Sequence, residues 1–190
     1  MKILAIMGSH RKGRNTELAL DTFLSGLPES AEIEKVYLLG KDIKVCAACS
    51  YCEKHYGECV YDDDMTLLYQ QFKKADAVVF ASPVYFNSVS TLMKIMVDRI
   101  QMIFACDFAF KKSFVDKTGQ RKKGYLISLG GARKYEKQFI GSEITMDLVF
   151  KDLHATFDGH FQISETDRYP LEGRPEELTA LKKAAEDFFK

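Results

Sequence analysis

The sequence predicts an open α/β domain, a five-stranded parallel sheet in the order 2-1-3-4-5 with helices on both faces. Three observations carry this. Short apolar runs alternate with segments of helical periodicity. Strands separated by helices form βαβ units, which make parallel strands. The chain has 190 residues, 46% of them hydrophobic, which suits a single domain with a full core. In this winding a ligand belongs at the carboxyl ends of strands 1 and 3, where the strand order reverses.

The elements follow in order. Lys2 to Met7 is apolar after its first residue and reads as a strand buried on both faces. Asn15 to Leu24 reads as a helix, with Leu18, Leu20 and Phe23 on its apolar side. Glu32 to Tyr37 alternates and reads as a more exposed, edge-like strand. Gly40 to Asp63 is irregular and holds four of the five cysteines. Asp64 to Ala75 reads as a helix with acid at its start, and Asp76 to Ala81 as a central strand. Ser90 to Phe104 carries apolar residues at helical spacing. Asp107 to Lys123 is polar, basic and irregular. Gly124 to Leu129 is a strand, Glu143 to His154 a helix and Gly159 to Ile163 the fifth strand. Pro175 to Phe189 closes the chain as a helix with proline in its first turn. The chain reads as one domain over residues 1–190, with a cysteine-rich loop at about 40–63.

Bulk properties exclude several functions. Lysine and arginine number 27, aspartate and glutamate 27, so the formal charge is zero. No general attraction to nucleic acid or an anionic membrane is expected. The apolar run at the N-terminus is too short for a signal-peptide core, and no run reaches the length of a membrane span. The expected location is the cytoplasm, where clustered cysteines bind metal or do redox chemistry more often than they form structural disulfides.

Two loops carry the chemistry. The first, Gly8-Ser9-His10-Arg11-Lys12-Gly13-Arg14-Asn15-Thr16, joins the first strand to a helix N-terminus. Backbone N–H groups and the helix dipole there favour an anion. Ser9 and Thr16 offer hydroxyls, Asn15 an amide and Arg11 a fork suited to phosphate oxygens. The loop is neither G-x-G-x-x-G nor G-x-x-x-x-G-K-[ST], which leaves a monophosphate ester bound without metal. The second loop, Ser82-Pro83-Val84-Tyr85-Phe86-Asn87-Ser88-Val89-Ser90, lies at the carboxyl end of the third strand. Pro83 fixes the backbone, Tyr85 and Phe86 supply apolar surface, and Asn87 supplies amide partners. A flat amphipathic ring needs such a bed.

GSHRKGRNT followed by SPVYFNSVSTLMKIMVDR resembles the NAD(P)H-dependent FMN reductase branch of the flavodoxin-like proteins, from Met1 to about Ile163. The resemblance implies FMN, with its phosphate at Ser9, Arg11, Asn15 and Thr16 and its ring near Pro83, Val84, Tyr85, Phe86 and Asn87. It implies a third flavin loop at Gly130 and Gly131, within Leu129-Gly130-Gly131-Ala132. NAD(P)H is then the co-substrate, and free flavin, a quinone or a protein centre the acceptor. A neighbouring chain close to the flavin is also usual in such proteins. Met102, Ile103, Phe104, Phe108 and Phe110 offer apolar surface for a homodimer or homotetramer.

The cysteines are spaced C-x2-C-x2-C-x6-C: Cys46, Cys49, Cys52 and Cys59. Spacing alone leaves three readings. C-x2-C-x2-C recurs around [4Fe–4S] clusters. Zinc sites of four cysteines more often use two separated pairs. Free thiols are the third. Inside such a chain the compact run resembles the iron–sulfur flavoproteins, which implies a [4Fe–4S] cluster on these four residues and electrons from a protein donor such as ferredoxin. The segment follows the second strand, so a cluster is expected at the same sheet edge as the flavin. Cys106 reads as a small buried hydrophobe. Asp62, Asp63 and Asp64 read as a helix N-terminal acidic run, and Asp98 with Arg99 as a structural ion pair. His10 and His55 are loop histidines beside the two candidate sites. No side chain is expected to act as a nucleophile, because the cofactor carries the chemistry.

Overall fold

The computed structural model describes residues 1–116 and 119–190. Five parallel strands, β1 (Lys2–Met7), β2 (Glu32–Tyr37), β3 (Ala77–Pro83), β4 (Lys123–Leu129) and β5 (Gly159–Ile163), form one sheet in the order β2-β1-β3-β4-β5. The order is the expected one. Six α-helices surround it: α1 (Asn15–Leu24), α2 (Asp64–Lys74), α3 (Thr91–Arg99), α4 (Gln101–Phe110), α5 (Ile140–Asp152) and α6 (Pro175–Phe189). No helix among the described residues is long and apolar enough to cross a membrane.

Alternation along the central strands builds two cores. Ile3, Ala5, Met7, Val79 and Ile127 face α1 and α6. Leu4, Ile6, Val78, Phe80 and Leu126 face the opposite way, toward α2, α3, α4 and α5. Both sets are buried, which is why these strands read as continuous apolar runs. The edge strand β2 is exposed along its first half, as expected.

The stretch from Ser90 to Phe104 is two helices, not one. An unbroken α-helix would bond the Ile103 N–H to the Arg99 carbonyl. Instead the Tyr69 hydroxyl donates to the Arg99 carbonyl at 2.7 Å, and Ile103 N–H turns to the Ile100 carbonyl at 2.7 Å. The chain tightens there, and α4 then runs on to Phe110, into a stretch expected to be irregular. The rest of 107–123 up to β4 has no helix or strand among its described residues; Lys117 and Thr118 lie outside them.

Two expectations about side chains are corrected here. Asp98 does not pair with Arg99. Asp98 pairs with Lys94 one turn back at 2.6 Å, and Arg99 turns inward to Asp63 at 2.6 Å. Met102 and Ile103 are core residues, 1% and 0% exposed, so only Phe104, Phe108 and Phe110 of the expected apolar surface face outward.

Candidate functional site

The phosphate loop runs from β1 into α1. Gly8 N–H donates to the Ala81 carbonyl at 2.8 Å, tying the loop to the end of β3. A Cβ on Gly8 would meet Met93 at 2.7 Å, so the glycine permits this approach. Ser9 Oγ accepts the Arg11 N–H at 3.0 Å and shapes the turn. The start of α1 differs from those of α2 and α3. Asp63 and Ser90 cap those two helices with their side chains, whereas residue 14 is arginine and gives α1 no side-chain cap. Its first N–H groups are left for an anion.

This end of α1 opens into a cleft of about 290 Å³. Ser9, Arg11, Asn15 and Thr16 line one side, and Pro83, Val84 and Tyr85 another. Gly131 and Ala132 close it from the end of β4. The three loops expected to meet do meet. Thr16 is buried, and its hydroxyl has no protein partner among the described residues. Asn15 is used differently: its Nδ2 donates to the Thr166 carbonyl at 3.2 Å, and its Oδ1 accepts the Leu171 N–H at 2.9 Å. The Asn15 amide therefore anchors the chain beyond β5, and only its backbone remains for a ligand.

Phe86, Asn87 and Gly130 do not line the cleft. Phe86 and Asn87 form the tip of a tight turn, both with positive φ, closed by paired backbone bonds between Tyr85 and Ser88. Phe86 stands wholly in solvent, 103% exposed. Asn87 latches the turn to the next segment, with Nδ2 donating to the Lys137 carbonyl at 3.1 Å. Gly130 lies beneath the surface, where its carbonyl accepts from Thr166 N–H and Oγ1.

Arg14 and Leu129, from loops already named, also line the cleft, and so do Thr166 and Asp167, which the sequence reading missed. Thr166 and Asp167 follow β5, and the rule that ligands meet strand carboxyl ends applied to that strand too. A Cβ on Gly131 would come within 2.2 Å of the Asp167 carboxylate. Glycine there lets the carboxylate reach the cleft wall.

The family model of the NADPH-dependent FMN reductases matches residues 1–139, from β1 through the first two loops and past Ala132. The chain belongs to that family. Iron-sulfur flavoprotein of Methanosarcina thermophila is 33% identical over 134 residues, 70% of this chain and 65% of that protein. An Iron-sulfur flavoprotein of Archaeoglobus fulgidus is 43% identical over 101 residues, 53% of this chain and 46% of that protein. The match thus spans about half to two thirds of these curated relatives. Among solved structures, NAD(P)H:quinone oxidoreductase from Methanothermobacter marburgensis superposes with a TM-score of 0.69 at 14% identity, covering 100% of this chain and 98% of that one. An FMN-dependent NADH-azoreductase from Bacillus anthracis in complex with FMN gives 0.67 at 14% identity over both whole chains. At these identities the structures share the fold.

Within this FMN reductase fold the four motif cysteines line a second cavity. Cys46, Cys49, Cys52 and Cys59 are free thiols, and all four line one cavity of about 360 Å³. Positive φ at Ala48, Ser50 and Gly57 curls the loop around it. Burial pushes the Cys52 thiol pKa up, and the neighbouring sulfurs of Cys59 and Cys46 add to the rise. Among the described residues no group of three or more His, Cys, Asp or Glu side chains is gathered for a single metal ion. A [4Fe–4S] core, with sulfides between its irons, spreads its thiolates wider than one ion does. Four free thiols around one cavity fit that donor set.

The cysteine cavity is separate from the cleft at the start of α1. Ser90, at the start of α3, donates to the Gly8 carbonyl, whereas Asp98, Arg99, Gln101 and Met102 at its far end line the cysteine cavity. The two cavities share no lining residue. The nine residues of α3, about 13 Å at the usual helical rise, run between them.

Proposed function

We propose that this protein is an FMN-dependent oxidoreductase that takes reducing equivalents from NAD(P)H and passes them to a flavin, a quinone or a redox protein. One observation carries the reading: the uncapped start of α1, with Thr16 and Arg11, opens on a cleft walled by the segments at the carboxyl ends of four strands, β1, β3, β4 and β5. The first-turn N–H groups, the Thr16 hydroxyl and the Arg11 guanidinium would hold the phosphate. Pro83, Val84 and Tyr85 would bed the ring, with the Gly131–Ala132 backbone against its edge. The Asp167 carboxylate is an acceptor, which suits the N–H edge of a flavin and opposes a phosphate. FMN bound there would supply hydride acceptance and one- or two-electron release. The protein's side chains bind, orient and exclude water. The same reading places the protein in a reducing cytoplasm, as a homodimer or homotetramer.

The test is binding and turnover. FMN should bind at least tenfold more tightly than riboflavin, which lacks the phosphate, by titration of flavin fluorescence. Anaerobic NADH or NADPH oxidation should then proceed with a flavin or quinone acceptor. Equal affinities for FMN and riboflavin would remove the phosphate assignment.

The cysteine cavity favours a second reading: an iron–sulfur flavoprotein with a [4Fe–4S] cluster on Cys46, Cys49, Cys52 and Cys59 that receives electrons from a protein donor such as ferredoxin. It predicts iron in anaerobically prepared protein and little turnover with NAD(P)H.

A further inference from the structure

Arg99 has a volume and a burial that nothing in the flavin cleft explains. Only 1% of it is exposed, and it heads the largest fully buried side chains. It ends α3 and, among the described residues, is the only arginine lining the four-cysteine cavity. Nη1 donates to Asp63 Oδ2 at 2.6 Å and to the Lys44 carbonyl at 2.8 Å, and Nη2 donates to Asp63 Oδ1 at 3.2 Å. The guanidinium also faces the Tyr61 ring, 5.3 Å from its centroid.

Asp63 accepts two further bonds, from the Lys44 N–H at 2.9 Å and the Met65 N–H at 3.0 Å. The pair thus grips both backbone polar groups of Lys44, two residues before Cys46, and Asp63 itself lies four residues after Cys59. It clasps the two ends of the cysteine loop together. Within the clasp the carboxylate is saturated by four donors, while two of the five guanidinium N–H groups are left over, one on Nη2 and the one on Nε. Arg99 Nε is buried and has no hydrogen-bond partner among the described residues. A buried donor without an acceptor costs free energy unless an acceptor comes within its reach.

Thiolate and sulfide sulfurs are such acceptors, and an iron–sulfur core held by four thiolates gains a negative charge on reduction. Hydrogen bonds to its sulfurs and a nearby cation therefore favour the reduced form. We propose that Arg99 is the tuning residue of the cysteine site, donating Nε–H to a ligand thiolate sulfur of the cluster held by Cys46, Cys49, Cys52 and Cys59 and raising its reduction potential. This rests on the cluster reading above. Asp63 is the positioning residue that holds the guanidinium in place.

Two measurements on anaerobically reconstituted, FMN-loaded protein test it, after iron analysis of the wild type. Wild type without iron would end the cluster reading itself. With iron present, protein labelled with ¹⁵N only in its arginine guanidino groups should show ¹⁵N hyperfine coupling in pulsed EPR of the dithionite-reduced cluster. Arg99→Gln combined with Asp63→Asn removes both charges together and so leaves no lone buried ion. Its redox titration should show the cluster at least tenfold harder to reduce, a fall of about 59 mV for one electron. No ¹⁵N coupling, or an unchanged potential in an iron-replete double variant, overturns the proposal and leaves the cluster reading standing. If the double variant holds no iron, the ¹⁵N coupling in the unmutated protein decides alone.

Discussion

Thr16 and Arg11 meet the cleft from different starting points, one buried with an idle hydroxyl and the other an exposed guanidinium at its mouth. On the proposed reading each would lose an interaction with the FMN phosphate when changed to alanine. Arg11→Ala with Thr16→Ala should weaken FMN binding by about 2–4 kcal/mol, since charge-assisted bonds to a desolvated anion are lost. Flavin titration against wild type measures it, and unchanged affinity would remove both residues from the site. Asn15 shows where residue-level reading reaches its limit. An amide in a phosphate loop offers the right chemistry, but its partners come from residues 166 and 171, remote in sequence. Arg99 shows the same in reverse. Adjacent residues on a helix do not face each other, so Asp98 was the wrong partner, and the right one lies across the cysteine loop. His160 illustrates burial acting through pH. Its ring is only 9% exposed, with Nε2 at 2.9 Å from Ser128 Oγ and Nδ1 at 3.0 Å from Gln162 Nε2. Burial lowers its pKa from 6.5 to about 4. Between those values the unfolded chain takes up a proton that the folded one refuses, so stability must fall as pH drops from 6.5 toward 4. The loss is on the order of 2–3 kcal/mol. Urea unfolding at pH 7 and pH 4.5 should show a larger drop for wild type than for His160→Gln, and equal drops would refute the assignment.

At the scale of elements, hydrophobic pattern decided what was legible. The central strands β1, β3 and β4 are buried on both faces and announce themselves as apolar runs. The edge strand β2 shows its place by alternation. What the pattern cannot show is a helix broken from outside. Ser90 to Phe104 keeps helical spacing across the break because α3 and α4 both bury residues in the same core, Met93 and Met96 on one side of it and Met102, Ile103 and Cys106 on the other. The break comes from the Tyr69 hydroxyl on α2. It matters for function, since the α3–α4 junction is where Arg99 and Met102 meet the cysteine loop. The loop itself was legible as irregular and cysteine-rich. Its position was not, because the direction in which residues 40–63 leave β2 is set by the Asp63–Arg99 clasp and not by local propensity.

At the scale of the whole molecule, the helical face that covers one side of the sheet has an apolar exterior as well as an apolar interior. On α5, Ile140, Ile144 and Leu148 repeat every fourth residue and are 40%, 58% and 58% exposed. On α4, Phe104 and Phe108 stack at 5.6 Å between centroids, again one turn apart and outward. Both helices pack their inner sides into the same core, so both stripes project from one face of the sheet. Isolated exposed apolar residues need no explanation, but two ordered stripes on neighbouring layers of one face do. A second copy of the chain is the partner that carries a matching apolar face by construction, since a two-fold contact buries the same patch twice. A stable contact of this kind removes roughly 1,600 Å² from water, which two charged substitutions at its centre would oppose strongly. Light scattering at micromolar concentration should therefore give the wild type at least twice the 21.6 kDa chain mass. Ile144→Asp with Leu148→Asp should fall to the mass of one chain while still binding FMN in its own cleft, because neither residue lines it. A monomeric wild type would refute the assembly, and a double variant that stays assembled would move the contact away from α5.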